Sequence, residues 1–325
     1  MRFGIIGTAG IARKALIPAI ERTEHTVDAI ASRDESRARS MADEFDIPRA
    51  FGSYEALVAA PELDAVYNPL PNGRHAEWTK RAADEGLHVL CEKPLTADAD
   101  EAVSVVEYCR DAGVTLLEVF MYRYHPRTER AVELVEAELE GVHAVNASFK
   151  FRLDGRPDDV RLDPSLAGGA LMDVGCYAVS AARLFLGEPD RVYARTRDSR
   201  GAGVDTDLMG ILEYDDGAMA HVDGSFDAPE VQRYRVEAEN GWVEAQPAFN
   251  VAADAPATLE YAIDGEADTD TFEPVDQYAE QVTAFADCVD SGAEPRTGGE
   301  EAIANMRVID ALYESAGRGV PVDLA

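Results

Sequence analysis

The chain of 325 residues contains only four lysines, Lys14, Lys80, Lys93 and Lys150, and otherwise takes its positive charge from arginine. Lys93 stands between Glu92 and Pro94, where the apolar run LHVLCE (87–92) meets a turn. A cation at the end of a buried strand can hydrogen-bond a reacting oxygen and stabilise charge that develops on it. It can also favour the phenolate of a tyrosine, a poor base at its reference pKa of about 10. Two unit charges about 4 Å apart, at an effective dielectric of about 20, attract by about 4 kcal/mol, and burial of the phenolate opposes part of this. Arginine is no simple substitute, because its planar fork is larger and differently aimed. Pro94 fixes its own φ and disfavours the helical region for Lys93, which aims the side chain. Asp173 and Tyr177 are four apart in GGALMDVGCYAVSAARLFLG (168–187), which reads as a buried helix after a glycine turn, so they share a face. Each has a plainer use: a solvated lysine, a tyrosine packed in the core, an aspartate that caps its helix.

The second constellation is GIIGTAGIA (4–12), a strand running into a helix through a glycine turn. Its phosphate-binding fingerprint reads Gly7-x-Ala9-x-x-Ala12 and departs from GxGxxG at its second and third glycines. Alanine at the third place still allows close helix packing, whereas Ala9 sets a methyl group beside the pyrophosphate. The turn residues Gly7, Thr8, Ala9, Gly10 and Ile11 are the candidate phosphate cradle. At the end of the second strand, NAD sites usually place an acid for the ribose 2′-OH; here the chain reads Ala31-Ser32-Arg33-Asp34. Ser32 and Arg33, with Arg37 one turn on, can donate to a 2′-phosphate, which favours NADP over NAD. Asp34, one place late, is expected to cap the next helix.

These residues need a frame. Short apolar runs alternate with helix-period segments through the first third: 2–7, 26–32, 63–68, 87–92 and 114–120 as strands, and about 11–22, 34–45, 75–86 and 98–113 as helices. Such alternation predicts a parallel, doubly wound sheet of the Rossmann kind. The pattern then changes to a helix at 127–139, a strand at 142–151, the buried helix at 168–187, and a series of strands over 191–274 with hairpin turns at DDG (215–217) and ENG (239–241). Two helices follow, at about 276–291 and 299–317. The fold class is α/β: a dinucleotide-binding domain over 1–120, then an α+β domain over 121–325 with an open, largely antiparallel sheet, its C-terminal helix able to pack back on the first domain.

Composition bounds the function. Asp plus Glu is 62 against 30 for Lys plus Arg, a net charge of −32. An acidic surface of this kind repels nucleic acid and anionic lipid, so neither is an expected partner. The acids repel one another at low salt and are largely screened at about 1 M, where the Debye length is about 3 Å; such a composition resembles proteins of salt-accumulating microbes. No leader and no membrane span of roughly 18 apolar residues is read. Cys91, Cys109, Cys176 and Cys288 are widely spaced, which suits reduced thiols in a cytoplasm and argues against a metal site.

GTAGIARK, YNPLPNGRH, CEKPL, EVFMYRYHP and GGALMDVGCY occur in this order, and with them nearly the whole chain, to NMRVIDALYESA (305–316), resembles the family of glucose–fructose oxidoreductase and inositol dehydrogenase. Within it, the nearest likeness is to NADP-dependent aldose (xylose-type) 1-dehydrogenases and dimeric dihydrodiol dehydrogenases. The resemblance implies that Lys93 is the catalytic lysine and that Asp173 and Tyr177 are the acid and the acid–base residue of a D-x-x-x-H/Y element, with tyrosine where many relatives have histidine. It implies that Tyr67 to His75, with Pro69, Leu70, Asn72 and His75 as candidate contacts, covers the nicotinamide half of the cofactor, beside Glu92 and Lys93. It implies a substrate lining from Met121 to His125, where Met121, Arg123 and His125 are candidates and Arg123 is favoured because its five donors suit a polyol; these could equally pack a domain junction. A homo-oligomer, dimer or tetramer, through the C-terminal sheet is implied as well. The expected activity is NADP-dependent oxidation of C1 of an aldopyranose, of D-xylose or D-glucose type, to the lactone. The alternatives are reduction of a keto-sugar such as 1,5-anhydrofructose, cofactor-assisted glycoside cleavage, and a non-catalytic NADP-binding regulator.

Overall fold

The computed structural model describes residues 1–155 and 158–324. Six strands, β1 (Arg2–Ile6), β2 (Thr26–Ala31), β3 (Arg49–Phe51), β4 (Ala65–Asn68), β5 (His88–Glu92) and β6 (Leu116–Val119), form one sheet in the order β3-β2-β1-β4-β5-β6. Every neighbouring pair is parallel. Such strands are buried on both faces, and β4, β6 and most of β1 and β5 are accordingly buried and, apart from Asn68, Glu92 and Glu118, largely apolar. The helices α1 (Ile17–Glu21), α2 (Glu35–Glu44), α3 (Tyr54–Val58), α4 (His75–Asp84) and α5 (Ala99–Ala112) alternate with the strands. The strand order reverses between β1 and β4, and in open α/β sheets ligands bind outside the carboxyl ends of strands at such a switch point.

The expected strands and helices of this sheet are all present. The short pair β3–α3 lies where no element is read from the sequence, since three residues carry too little periodicity; Ser53 starts α3 by accepting from Ala56 N at 3.2 Å. The helix expected at about 11–22 begins as a π turn, Ala12–Leu16, before α1.

The second sheet has nine strands: β7 (Ala144–Arg152), β8 (Arg191–Arg197), β9 (Asp207–Glu213), β10 (Met219–Ser225), β11 (Asp227–Glu237), β12 (Gly241–Ala245), β13 (Ala257–Ile263), β14 (Glu266–Phe272) and β15 (Val322–Asp323). Their order is β14-β13-β12-β11-β7-β10-β9-β8-β15, antiparallel except for β7 beside β10. Hairpins turn at both DDG and ENG, joining β9 to β10 and β11 to β12. Strand β9 alternates buried and exposed residues, as strands of a sheet with one covered face do. Helix α7 (Cys176–Leu186) packs on β7, β10 and β11, and α6 (Pro126–Ala137) packs on β12 and β13. Met209, Ile211 and Met219 stay largely exposed on β9 and β10.

By contacts the chain falls into two units, Met1–Tyr124 with Asp276–Ile303, and His125–Val275 with Ala304–Ala325. Helix α8 (Gln277–Ser291) belongs wholly to the first, and α9 (Gly299–Arg318) begins there. The segment Pro164–Leu186 is long and apolar enough to cross a membrane by composition, yet 78% of that window is buried inside the protein, as a core helix requires.

Candidate active site

In the first unit the chain leaves β1 at Gly7 with φ +102°, a conformation glycine adopts without strain, and its N–H bonds Ala31 O at 2.9 Å. A Cβ here would lie 3.1 Å from Leu70 Cδ2, so the phosphate turn and the loop after β4 pack closely. Beyond it opens a cleft of about 370 Å³ lined by Thr8, Ala9, Gly10, Arg13, Ser36, Arg37, Ser40 and Met41. Among these described residues there are two arginines, a threonine, two serines and no carboxylate. Thr8, Ala9, Gly10 and Arg37 are thus brought together as the sequence predicts; Arg13, Ser36 and Ser40 were not foreseen. They lie on the first turn after the phosphate loop and on α2, one helical turn apart, and that spacing is the signal that could have found them.

Asp34 caps α2, accepting from Ser36 N at 3.0 Å and Ser36 Oγ at 2.6 Å. The Ser36 bonds hold its carboxyl below the usual range. Ser32 is buried, and its hydroxyl accepts from Asp34 N at 3.3 Å; Arg33 is exposed and does not line the cleft. Arg13 pairs with Glu44 at 2.5 Å.

The loop after β4 and the lysine turn after β5 are locked together. Asn68 Nδ2 donates to His75 O at 3.1 Å and Thr79 Oγ1 at 3.3 Å. His75 is fully buried, with Nδ1 2.9 Å from Pro94 O and Nε2 2.6 Å from Leu70 O. Burial foremost, with the charge of Lys93 adding, lowers its pKa to about 4, while the two carbonyls act the other way and favour the protonated ring. Both ring nitrogens of this candidate cofactor contact therefore face backbone carbonyls, one from each loop. Tyr67 Oη donates to Glu92 Oε1 at 2.6 Å, and Lys93 N lies 3.4 Å from Glu92 Oε2. Glu118 accepts from Leu95 N at 2.7 Å. The Lys93–Pro94 peptide is cis. Three buried side chains from three elements thus fix the backbone on either side of Lys93.

The segment after β6 is a buried 3₁₀ turn, Met121–Tyr124. Arg123, favoured from the sequence as a polyol donor, is 8% exposed, and its Nη1 lies 3.2 Å from Glu301 Oε1. Arg296 donates to the Arg123 carbonyl, and Tyr124 Oη shares a bond with Thr297 Oγ1 at 3.0 Å. These contacts give Arg123 a packing role inside its own unit.

The second unit carries the other candidates. Gly169, at φ +128°, turns the chain into a π turn, Leu171–Gly175, that continues as α7. A Cβ at Gly169 would lie 2.3 Å from Asp205 Oδ1. Asp205 O accepts from Ala170 N at 2.8 Å, and its carboxylate accepts from Leu171 N at 2.8 Å and Tyr313 Oη at 2.7 Å. Asp205, not Asp173, is therefore the carboxylate that satisfies the helix start, and no local pattern around it announces this. Asp173 sits inside the π turn, where Arg161 Nε donates to its Oδ2 at 2.7 Å; Arg161 also pairs with Asp159 at 3.2 Å. Tyr177 is 4% exposed, its ring 5.3 Å from Phe149 and 5.4 Å from Phe249. An apolar wall of this kind orients the phenol and disfavours its charged form until a cation is close. His125 caps α6, its Nδ1 accepting from Arg127 N at 3.0 Å. Burial, then the charge of Arg127, lowers its pKa to about 4. It is a helix cap with a neutral ring, and nothing in its contacts marks a substrate ligand.

Residues 1–120 match the model of an oxidoreductase family with an NAD-binding Rossmann fold, and residues 128–244 match the GFO/IDH/MocA C-terminal domain. D-xylose 1-dehydrogenase (NADP(+)) 2 of Haloferax volcanii is 61% identical over 324 residues, covering 100% of both chains. A 3-ketoreductase from Actinomadura kijaniata, crystallised with NADP and TDP-benzene, is 31% identical with a TM-score of 0.91, covering 97% of both. An aldose–aldose oxidoreductase from Caulobacter crescentus, crystallised with glycerol, is 29% identical with a TM-score of 0.92, covering 100% of this chain and 99% of that one.

Proposed function

The chain belongs to the GFO/IDH/MocA oxidoreductase family, and we propose that it is an NADP-dependent dehydrogenase that oxidises C1 of an aldopyranose, of D-xylose or D-glucose type, to the lactone. The observation that carries this is the 61% identity, end to end, with a D-xylose 1-dehydrogenase that uses NADP. The residues around the phosphate turn fit that cofactor: the cleft holds Arg13 and Arg37 and no carboxylate among the described residues, which suits a 2′-phosphate. Held there by Thr8, Arg13, Ser36, Arg37 and Ser40, the nicotinamide cofactor would supply the hydride acceptor for C1. Tyr177 takes the proton of the C1 hydroxyl. Lys93 donates a hydrogen bond to the same oxygen and makes the phenolate accessible near working pH. Asp173, paired with Arg161, orients the tyrosine or binds a second hydroxyl of the sugar. Glu92, His75 and Glu118 hold the Lys93 turn without entering the chemistry.

Residues 1–120 serve as the dinucleotide-binding domain and 121–325 as the substrate-binding and oligomerisation domain. The exposed Met209, Ile211 and Met219 support a dimer or tetramer formed through the second sheet. The net charge of −32 supports a salt-dependent fold, and four cysteines without a disulfide support a cytoplasmic site. Reduction of a keto-sugar would use the same groups in reverse; the ketoreductase relative at 31% identity is far more distant than the xylose dehydrogenase at 61%.

The test is a screen of pentoses, hexoses and keto-sugars with NADP and NAD in molar salt, followed by absorbance of the reduced nicotinamide. Lys93→Ala and Tyr177→Phe each lower turnover by about a hundredfold or more while the cofactor still binds. Wild-type turnover in Tyr177→Phe removes the proposed base.

A further inference from the structure

Arg127 is the largest side chain in the protein with no solvent exposure. It is the second residue of α6, and of its side-chain nitrogens Nη2 donates to Ala248 O at 2.6 Å. Arg127 Nε and Nη1, Thr128 Oγ1 and Tyr234 Oη are buried with no hydrogen-bond partner. These atoms come from neighbouring side chains: the Tyr234 hydroxyl faces both Thr128 and Arg127 without meeting hydrogen-bond geometry with either. Thr128 is 2% exposed and Tyr234 fully buried. Burial pushes Arg127 below its ordinary range; among the described residues Tyr234 acts against this and no carboxylate does. In a chain with 62 acids, no described carboxylate is paired with this buried cation.

A guanidinium stays charged in proteins, and a buried charge without a counter-charge costs several kcal/mol. The start of α6 adds to the positive potential, because the N-terminal end of the helix dipole points the same way. The acid in its first turn, Glu129, is exposed. Arg127 offers only donors, and both hydroxyls can donate. Water would satisfy the hydrogen bonds and leave the charge; a small anion does both.

We propose that Arg127, Thr128 and Tyr234 bind a small monovalent inorganic anion, chloride in chloride media. The ion accepts from Arg127 Nε and Nη1 and from the two hydroxyls. The full burial of all three side chains selects a single-atom halide over carboxylates and phosphates. The Arg127 bond to Ala248 is next in the chain to Phe249, whose ring flanks Tyr177, so the ion steadies one wall of the tyrosine.

Crystals of the full chain grown in sodium bromide and measured at the bromine absorption edge show an anomalous peak within bonding distance of Arg127 Nη1 and Tyr234 Oη. A peak at that place with no anomalous signal, a water only, overturns the proposal. In solution, melting temperature is followed while glutamate is exchanged for chloride at constant ionic strength. It rises with the logarithm of chloride concentration, as for any ligand that binds only the folded state. The rise disappears in Arg127→Met. Should that variant not fold, the pair Tyr234→Phe with Thr128→Val, which keeps the charge and removes two donors, shows a weakened rise. A chloride response equal to the parent's in either variant overturns the assignment.

Discussion

Acid destabilises this protein well above the carboxylate range, and His125 sets a measurable share of the effect. His75 and His125 are buried, and each has its pKa lowered from 6.5 to about 4, chiefly by burial. A folded-state pKa below the unfolded one means that the unfolded chain binds the proton first. Each ring therefore contributes fully above pH 6.5, and its contribution falls as the pH drops toward about 4. The difference, at about 1.4 kcal/mol for each tenfold in proton affinity, is about 3 kcal/mol per ring once complete. At about pH 5 each ring has cost about 2 kcal/mol, so the two together remove about 4 kcal/mol. His25 and His88, lowered by burial, add to the loss. Asp34 and Asp198 are depressed by hydrogen bonds and act only below the usual carboxylate range. Asp205 is raised by burial and has the opposite sign, so its contribution improves as the pH falls.

The perturbation is His125→Asn. Asparagine is a strong helix N-cap and can still accept from Arg127 N, but it does not titrate. The variant loses the ring's contact with Phe272 and is less stable at neutral pH. Its further loss between neutral pH and about pH 5 is smaller than the parent's by about 2 kcal/mol. Urea unfolding at fixed salt, compared at the two pH values, measures this directly. An equal acid loss in parent and variant refutes the reasoning, since the burial of His125 would then not be what holds the proton off.

Arg37→Ala lowers the preference for NADP over NAD in kcat/KM by about tenfold or more, the loss of one charge-assisted hydrogen bond; an unchanged ratio removes Arg37 from the 2′-phosphate site. Gly169→Ala puts a Cβ 2.3 Å from Asp205 Oδ1 at φ +128° and lowers stability by about 2 kcal/mol or more, read from thermal melting. Salt acts on the whole chain: melting temperature falls as ionic strength is lowered, and Ile211→Asp, at an exposed position of β9, gives a monomer in sedimentation velocity. A flat salt response, or an Ile211→Asp oligomer of parental size, counts against these readings.

What the sequence determined by itself is whatever rests on neighbours along the chain. Alternating apolar runs and helical periods specify the parallel sheet, because strand and helix periods are local properties. The turn GIIGTAGIA, the Asp34 cap and the two hairpin turns are likewise legible, since each is complete within a few residues. Ser32 and Arg33 at the end of β2, with the acid displaced to Asp34, announce NADP for the same reason. Tertiary structure alone decided the rest. That Arg123 pairs with Glu301, 178 positions away, is not legible in the sequence. The plainer reading of Asp173, a helix cap, falls because Asp205, 34 residues on from Leu171, accepts from Leu171 N and takes that place. The burial of Arg127 with no acid beside it has no sequence signal in a chain so rich in acids. Hydrogen bonds and charge pairs act over a few ångströms, so what a polar side chain does depends on which distant segment folding delivers to it.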